Sequence, residues 1–217
     1  MVDVSAVRAI IFDLDGVLLS TDKYHYMAWK ELADELGIPF CEKDNEAFRG
    51  VSRMDCMEIL LSKSQSLALT EEEKIAYATQ KNERYRALLA DITPSFVDAD
   101  VRNTLVVLRE RGYRLAVGSS SKNSKFILEK TELIGYFDAV VDGNDISRSK
   151  PDPEVFLKAA AALGAAPFES AVIEDAEAGL LAATGGAMLP VAIGEAKGSQ
   201  LAKISIDNLG ELLKIFY

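Results

Sequence analysis

The chain has 217 residues, of which 34 are acidic and 24 are basic, giving a formal net charge of −10 at pH 7. This length fits one large domain or one domain that carries an insertion. Apolar residues make up 49% of the chain, as is ordinary for a globular protein, and the acidic balance argues against binding to nucleic acids and anionic membranes.

Membrane spans, secretion signals and zinc sites leave sequence signatures that this chain lacks. No stretch approaches the roughly 18 consecutive apolar residues of a membrane span. The first four residues lack the basic region of a secretory signal, so we expect a cytoplasmic protein. Cys41 and Cys56 form no CxxC pair and are expected to be reduced thiols. The single histidine, His25, excludes a multi-histidine zinc site.

The first predicted element is a strand at residues 7–12, a continuous apolar run typical of a strand covered on both faces. A long stretch with helical patterns follows. Residues 28–36 carry an apolar stripe, residues 54–62 form a second predicted helix, and Thr70 precedes three acidic residues as the N-cap of a helix reaching residue 90. We therefore predict an all-helical cap domain at residues 20–92, inserted after the first strand.

Four further apolar runs alternate with helical patterns in the second half of the chain. The predicted strands are residues 115–118, 139–141, 171–173 and 190–193, and the predicted helices are residues 101–108, 126–133, 155–163 and 176–183. This alternation is typical of a doubly wound, mostly parallel sheet. We predict an α/β fold with a Rossmann-like core domain formed by residues 1–19 and 93–217.

Polar residues follow successive predicted strands at their carboxyl ends, where open parallel sheets bind ligands. These residues are Asp13, Asp15, Ser119, Lys150, Glu174 and Asp175. Each alone has an ordinary explanation as a turn or helix-capping residue. Their recurrence at successive strand ends instead predicts one shared site.

Clustered carboxylates at such a site require a hard cation, and oxygen ligands favour Mg²⁺. One carboxylate can attack a phosphoryl group to form an aspartyl-phosphate, and another can act as general acid and base. A lysine and hydroxyl groups would stabilise the charge on the transferring oxygens. The sequence thus indicates phosphoryl transfer.

These motifs resemble those of a known superfamily. Asp13-Leu14-Asp15-Gly16-Val17, Ser119, Lys150-Pro151 and Glu174-Asp175 are similar to the four motifs of the haloacid dehalogenase superfamily, and the helical insertion resembles its C1 cap. Within that superfamily the pattern is most similar to the β-phosphoglucomutase family. That closer similarity is carried by Thr21, Tyr24-His25, Trp29, Gly50-Val51-Ser52-Arg53, Lys81-Asn82 and Ser119-x-Ser121-Lys122-Asn123.

The resemblance implies roles for the residues at the strand ends. Asp13 would be the nucleophile, and Asp15 would be the general acid and base. The implied Mg²⁺ ligands are Asp13, Asp15 through its carbonyl, Glu174 and Asp175. Ser119 and Lys150 would hold the phosphoryl oxygens, and the Lys150–Pro151 bond would be cis, as in relatives.

The resemblance also implies roles in substrate binding and cap closure. Arg53, Ser121 and Asn123 would bind the second phosphate of the sugar, and Lys81, Trp29 and Gly50 would complete the substrate site. Thr21 would sit at the cap hinge, and His25 would help bring Asp15 into place. Without the family pattern, Arg53 and Lys81 would be interpreted as solvated charges, and His25 and Trp29 as core residues of the cap.

The implied activity is interconversion of β-D-glucose 1-phosphate and D-glucose 6-phosphate, with Mg²⁺ as cofactor and glucose 1,6-bisphosphate as activating intermediate. The alternative is a Mg²⁺-dependent phosphatase of a sugar phosphate or other small phosphomonoester. A regulatory module that is phosphorylated without turnover is a third interpretation, but it has no use for a helical cap. We expect a monomer whose only partner is a small sugar phosphate, with no nucleic acid and no membrane.

Overall fold

The computed structural model describes residues 3–48, 51–64 and 67–217. Contacts along the chain divide it into two compact units. One unit contains the residues up to Ser20 together with Ile92–Tyr217, and the other is Thr21–Asp91. They are called the core unit and the helical unit below.

The secondary structure elements alternate in the core unit and are all helical in the other unit. The strands are β1 (Ala9–Phe12), β2 (Arg114–Gly118), β3 (Ala139–Val141), β4 (Ser170–Glu174), β5 (Leu189–Ala192) and β6 (Ile204–Ser205). The α-helices are α1 (Asp22–Glu35), α2 (Glu42–Glu46), α3 (Arg53–Ser62), α4 (Glu71–Leu88), α5 (Ala99–Glu110), α6 (Ser124–Lys130), α7 (Glu154–Ala162), α8 (Glu177–Gly185) and α9 (Leu212–Ile215). Short 3-10 helices lie at Pro94–Phe96, Ile134–Tyr136, Pro167–Glu169, Gly194–Gly198 and Leu209–Glu211.

The core unit contains a six-stranded sheet in the order β3-β2-β1-β4-β5-β6, and every neighbouring pair is parallel. The predicted α/β fold with a mostly parallel sheet is therefore confirmed. Strand β1 is fully buried, because helices cover both faces of a sheet of this kind. On one face, Phe156 of α7 packs in an apolar cluster that includes Ile11, Ala116 and Val172 of three neighbouring strands. The sheet order places the carboxyl ends of β1, β2 and β4 side by side.

The helical unit has an apolar core of its own. It includes Trp29 and Leu32 of α1, Phe48, and Met57 and Leu60 of α3. The start of α4 is fixed by a capping box, because the Thr70 hydroxyl accepts a hydrogen bond from the Glu73 N–H while Glu73 Oε2 accepts one from the Thr70 N–H. The N-cap predicted at Thr70 is confirmed. None of the helices in the described ranges is long and apolar enough to cross a membrane.

Three short elements and one helix start were missed by the sequence patterns. Helix α1 begins at Asp22, six residues before the predicted apolar stripe. The sequence pattern missed this start because the first turns of the helix are polar and aromatic. The missed helix α2 has the sequence Glu-Lys-Asp-Asn-Glu and shows no apolar period. The two-residue strand β6 and the four-residue helix α9 are too short to form a pattern.

Candidate active site

The candidate site lies at the carboxyl edge of the core sheet. The backbone N–H of Asp13 donates to the Ile173 carbonyl at 3.0 Å, which extends the pairing of β1 with β4 by one residue. The N–H of Ser119 donates to the Val141 carbonyl at 3.1 Å, which does the same for β2 and β3. Glu174 is the last residue of β4. Each polar side chain therefore starts from rigid, hydrogen-bonded backbone.

Lys150 joins two of the acidic residues. Its Nζ lies 2.5 Å from Asp13 Oδ1 and 2.5 Å from Glu174 Oε1, and all three residues are buried. The ammonium also lies 4.6 Å from the ring centroid of Phe156 in α7, within the range of a cation–π contact. The Lys150–Pro151 peptide bond is cis, as predicted.

Burial and the ion pairs together determine the pKa values of Asp13 and Lys150. Burial raises the pKa of Asp13 to about 7, although the Lys150 ammonium opposes this shift. For Lys150, burial acts to lower the pKa, but the Asp13 and Glu174 carboxylates outweigh it and hold the pKa above its ordinary value. The lysine therefore remains a cation at neutral pH, and its charge lies beside Asp13.

Three carboxylates at this edge fit a metal ion. Asp13, Glu174 and Asp175 each offer a carboxylate oxygen, and these oxygens all lie within 4.8 Å of one another. Glu174 Oε2 is held by the backbone N–H groups of Asp175 at 2.8 Å and Ala176 at 2.9 Å. An all-oxygen donor set suits Mg²⁺, whose charge would offset the repulsion between the carboxylates.

Two glycines leave the space that these carboxylates occupy. Gly16 has φ +81°, and a Cβ there would fall 1.9 Å from Asp175 Oδ2. A Cβ on Gly179, in α8, would fall 1.9 Å from Glu174 Oε1. A side chain at either position would force the neighbouring carboxylate to move. The acidic cluster therefore depends on glycine at both positions.

The segment after β2 is fixed by hydrogen bonds within itself. The Ser119 hydroxyl accepts from the Ser121 N–H, and the Ser121 hydroxyl accepts from the Asn123 N–H, both at 3.2 Å. Ser119 and Asn123 are buried, and Ser121 is half-buried. Asp15 is half-buried and forms a bridge with Leu19. Its metal contact through the main-chain carbonyl stays a prediction.

Four of the sequence-predicted residues meet inside the helical unit. Lys81 Nζ lies 2.9 Å from His25 Nδ1 and 4.7 Å from the ring centroid of Trp29. Lys81 is buried, and Trp29 lies in the apolar core with only 2% of its surface exposed. Thr21 is buried at the N-terminus of α1. Loss of hydration of the His25 ring, together with the Lys81 and Arg53 charges, holds the pKa of His25 well below its ordinary value.

Arg53 is the first residue of α3 and is half-buried. Its Nη2 donates to Asn82 Oδ1 in α4 at 2.8 Å, so the guanidinium is tied to the helix that carries Lys81. Gly50, the remaining predicted substrate contact, lies outside the described residues.

Two residues in these contacts were not predicted from the sequence. Phe156 lies under the Lys150 ammonium, and Tyr85 contacts His25, Lys81 and Thr21. Tyr85 follows Lys81 by four residues on one helix, a spacing that places two side chains on the same face. From that spacing, the contact of Tyr85 with Lys81 could have been predicted. Nothing in the sequence predicts the contact of Phe156 with Lys150.

Comparison with known proteins places the chain in a family. A family model described as haloacid dehalogenase-like hydrolase matches residues 7–185. The chain belongs to this haloacid dehalogenase-like family. The chain is also 37% identical to a beta-phosphoglucomutase of Bacillus subtilis over 207 residues, covering 95% of the chain and 92% of that protein.

Other haloacid dehalogenase-like relatives differ in their named activity. The phosphorylated carbohydrates phosphatase of Thermotoga maritima is 28% identical over 179 residues, covering 82% of the chain and 80% of that protein. Among solved structures, beta-phosphoglucomutase from Clostridium difficile has a TM-score of 0.88 and 34% identity, covering 95% of the chain and 93% of that protein. The resemblance predicted from the four motifs is therefore confirmed at the level of the family, its enzyme fold and the likeness to β-phosphoglucomutase.

Proposed function

We propose that the protein is a phosphomutase that interconverts β-D-glucose 1-phosphate and D-glucose 6-phosphate. The observation that carries its phosphoryl-transfer chemistry is a buried Asp13 that is hydrogen-bonded to Lys150 and grouped with Glu174 and Asp175. The 37% identity to a beta-phosphoglucomutase over 95% of the chain supports the choice of a mutase.

In the proposed reaction, Asp13 carries the phosphoryl group between two sugar hydroxyls. The cycle starts with phosphorylated Asp13. Asp15 takes a proton from the 6-hydroxyl of β-glucose 1-phosphate, whose oxygen bonds to phosphorus as the bond to the Asp13 oxygen breaks, which gives β-glucose 1,6-bisphosphate. In the second half, an Asp13 oxygen bonds to the phosphorus at the 1-position as its bond to the sugar oxygen breaks, and Asp15 gives that sugar oxygen a proton, which releases glucose 6-phosphate.

The neighbouring residues would stabilise the charge on the transferring group. Lys150, already in contact with Asp13, would pair with a phosphoryl oxygen, and the Ser119 hydroxyl would donate to another. Asp13, Glu174, Asp175 and the carbonyl of Asp15 would hold Mg²⁺. When bound, this ion supplies positive charge to the phosphoryl oxygens and to the carboxylates around them.

The proposed second phosphate site distinguishes a mutase from an enzyme with one phosphate-bearing substrate. We assign Arg53, Ser121 and Asn123 to the second phosphate, because a bisphosphate needs further donors and a guanidinium fork matches phosphate oxygens. We assign Lys81 and Trp29 to the sugar, Thr21 to the hinge of the helical unit, and His25 to the placement of Asp15. These roles follow the family pattern.

A sugar-phosphate phosphatase is the second candidate, and the 28% identical phosphatase of Thermotoga maritima favours it. The core chemistry is shared, and only the fate of the aspartyl-phosphate differs. A phosphatase transfers the group to water and has no use for a second phosphate site. The effect of replacing Arg53 on the formation of glucose 6-phosphate and of inorganic phosphate therefore distinguishes the two candidates.

The test measures both products with β-glucose 1-phosphate, Mg²⁺ and a trace of glucose 1,6-bisphosphate. We expect glucose 6-phosphate to be the main product, and Arg53→Ala to reduce its formation by about 10- to 100-fold, a loss typical of a removed charged contact. Arg109→Ala removes a guanidinium that pairs with Asp138 in the core unit and should leave turnover unchanged. Release of inorganic phosphate without glucose 6-phosphate would refute the mutase. Full mutase turnover in Arg53→Ala would refute the assignment of Arg53 to the second phosphate.

A further inference from the structure

Tyr85 in α4 contacts three of the residues that the proposed function places in the helical unit. Its ring stacks on the His25 ring, with centroids 4.0 Å apart and planes inclined by 28°. Its hydroxyl lies 2.7 Å from Thr21 Oγ1, and Lys81 Nζ lies 4.9 Å from its ring centroid. Tyr85 is fully buried, so its ring is held in one position by the packing around it.

The hydroxyl of Thr21 does not make the capping hydrogen bond that is usual for a threonine at the start of a helix. Thr21 is the N-cap residue of α1, where a hydroxyl ordinarily accepts a hydrogen bond from the first turn of the helix. Here the Thr21 side chain makes no such capping bond, and its hydroxyl is paired with Tyr85. The tyrosine therefore takes the place of the helix as the partner of this hydroxyl.

The His25 contacts fix the orientation of the imidazole ring. A lysine ammonium has no acceptor, so His25 Nδ1 must accept the hydrogen bond from Lys81. A neutral ring that accepts at Nδ1 carries its proton on Nε2. Tyr85 covers one face of this ring and also contacts Lys81, so it fixes the plane of the ring whose tautomer Lys81 selects.

We propose that Tyr85 is a positioning residue, which orients His25 as a neutral Nε2–H donor and fixes the hydroxyl of Thr21 for turnover. This inference rests on the proposed function, which gives His25 and Thr21 their roles in turnover. Tyrosine suits the position because its ring supplies the stacking face and its hydroxyl supplies the partner for Thr21. Phenylalanine would provide only the stacking face, and an aliphatic residue would provide neither.

The kinetic test compares two tyrosines of the same helix. Tyr85→Leu removes the contacts with His25 and Thr21, whereas Tyr77→Leu removes a tyrosine that packs on the apolar core of the helical unit. We expect Tyr85→Leu to lower kcat for glucose 6-phosphate formation by about 10- to 100-fold, as small displacements of positioned groups do. Tyr77→Leu should retain the wild-type kcat, although it also removes a packed tyrosine of the same helix. Equal kcat in the two variants would overturn the proposal.

A second variant applies if Tyr85→Leu does not fold. Tyr85→Phe keeps the ring and removes only the hydroxyl that pairs with Thr21. We expect a loss of about threefold to tenfold in kcat with little change in KM, because the hydroxyl orients rather than binds. Wild-type kcat in Tyr85→Phe would overturn the assignment of Thr21 to Tyr85.

The imidazole spectrum tests the positioning without any turnover. His25 is the single histidine of the chain, so its ring gives one set of NMR signals. We expect the wild type to show the Nε2–H tautomer, and Tyr85→Leu to move the ring-proton signals downfield because the stacked ring is lost. Unmoved signals in Tyr85→Leu would overturn the proposal. A wild-type protein that forms no glucose 6-phosphate would refute the proposed function instead.

Discussion

Gly179 lies directly against Glu174, and the missing side chain of the glycine is the space that the carboxylate fills. A Cβ on Gly179 would fall 1.9 Å from Glu174 Oε1 and 2.0 Å from its Cδ. The same carboxylate group pairs with Lys150 and belongs to the group of three that fits a metal ion. A glycine that lies just after the fourth sequence motif, and is not part of it, thus controls the position of a central acidic group.

Replacing Gly179 with alanine is expected to reduce turnover by at least about tenfold and to weaken Mg²⁺ binding, since misplaced metal ligands and their supports cost about 10- to 100-fold. Isothermal titration with Mg²⁺ and the mutase assay measure the two effects. The matched control is Gly185→Ala in the same helix, where a Cβ would meet nothing within 4 Å. It should keep full activity and gain about 0.4–1 kcal/mol of stability. Full activity in Gly179→Ala would contradict the described position of Glu174.

Removing the Lys150 ammonium is expected to destabilise the metal-free protein. Lys150→Met leaves two buried carboxylates, Asp13 and Glu174, without their shared cation. Breaking a buried ion pair in this way costs about 3–5 kcal/mol. Urea denaturation at pH 8 with EDTA should show this loss, and Mg²⁺ should recover part of it by supplying positive charge.

The control for Lys150→Met is Lys158→Met in the following helix. Lys158 pairs with Glu154 at 2.6 Å, but its side chain is 48% exposed. Exposed pairs of this kind contribute at most about 1 kcal/mol. If Lys150→Met were as stable as Lys158→Met in EDTA, the buried ion pairs of Lys150 with Asp13 and Glu174 would not contribute to stability.

The His25 ring is expected to stay neutral well below pH 6.5. Loss of hydration and the Lys81 and Arg53 charges hold its pKa below the ordinary value of 6.5 in the folded protein. The unfolded chain therefore binds the extra proton first as pH falls, so this residue lowers stability progressively below about pH 6.5. One proton gives a slope of at most about 1.4 kcal/mol per pH unit.

Comparing the wild type with His25→Gln separates the effect of His25 on stability from that of Asp13. The raised pKa of Asp13 acts in the opposite direction, because it increases stability as pH falls. The stability of the wild type relative to the variant should fall between pH 6.5 and pH 5. NMR titration of the single imidazole gives the pKa directly. A midpoint at or above pH 6.5 would contradict the described surroundings of the ring.

Replacement of the proposed nucleophile is expected to abolish turnover. Asp13→Asn removes the oxygen that would bond to phosphorus, so the rate should fall by at least about 10³-fold and no covalent phosphate should appear by mass spectrometry. Asp142→Asn is a matched control, because Asp142 is also a buried aspartate directly after a strand. Its Oδ1 accepts hydrogen bonds from Asn144, which an amide oxygen can also do. Equal activity in both variants would refute catalysis by Asp13.

The predicted parts of the fold share one physical feature. Strands β1 to β5 are continuous apolar runs because the sheet is covered on both faces. Their positions could therefore be predicted from these apolar runs. The start of α1, the helix α2 and the strand β6 lack such a pattern and are stabilised by tertiary contacts or by their neighbours. Short polar elements of this kind are not determined by local sequence.

The predictable parts of the candidate site follow from sheet topology. Adjacent parallel strands bring their carboxyl ends together, so the grouping of Asp13, Glu174 and Asp175 could be anticipated from the ends of β1 and β4. The contacts of Tyr85 with His25 and Thr21 depend on how α4 packs against α1. Such packing between helices is a tertiary property, and the roles of the site residues remain predictions for the experiments above.

The proposed mutase activity is tested most directly by the ratio of products formed from β-glucose 1-phosphate with Mg²⁺ and a trace of glucose 1,6-bisphosphate, measured by phosphorus NMR. We predict that glucose 6-phosphate accumulates with little inorganic phosphate and that Arg53→Ala suppresses this product. Accumulation of inorganic phosphate without glucose 6-phosphate would contradict it and identify the protein as a phosphatase.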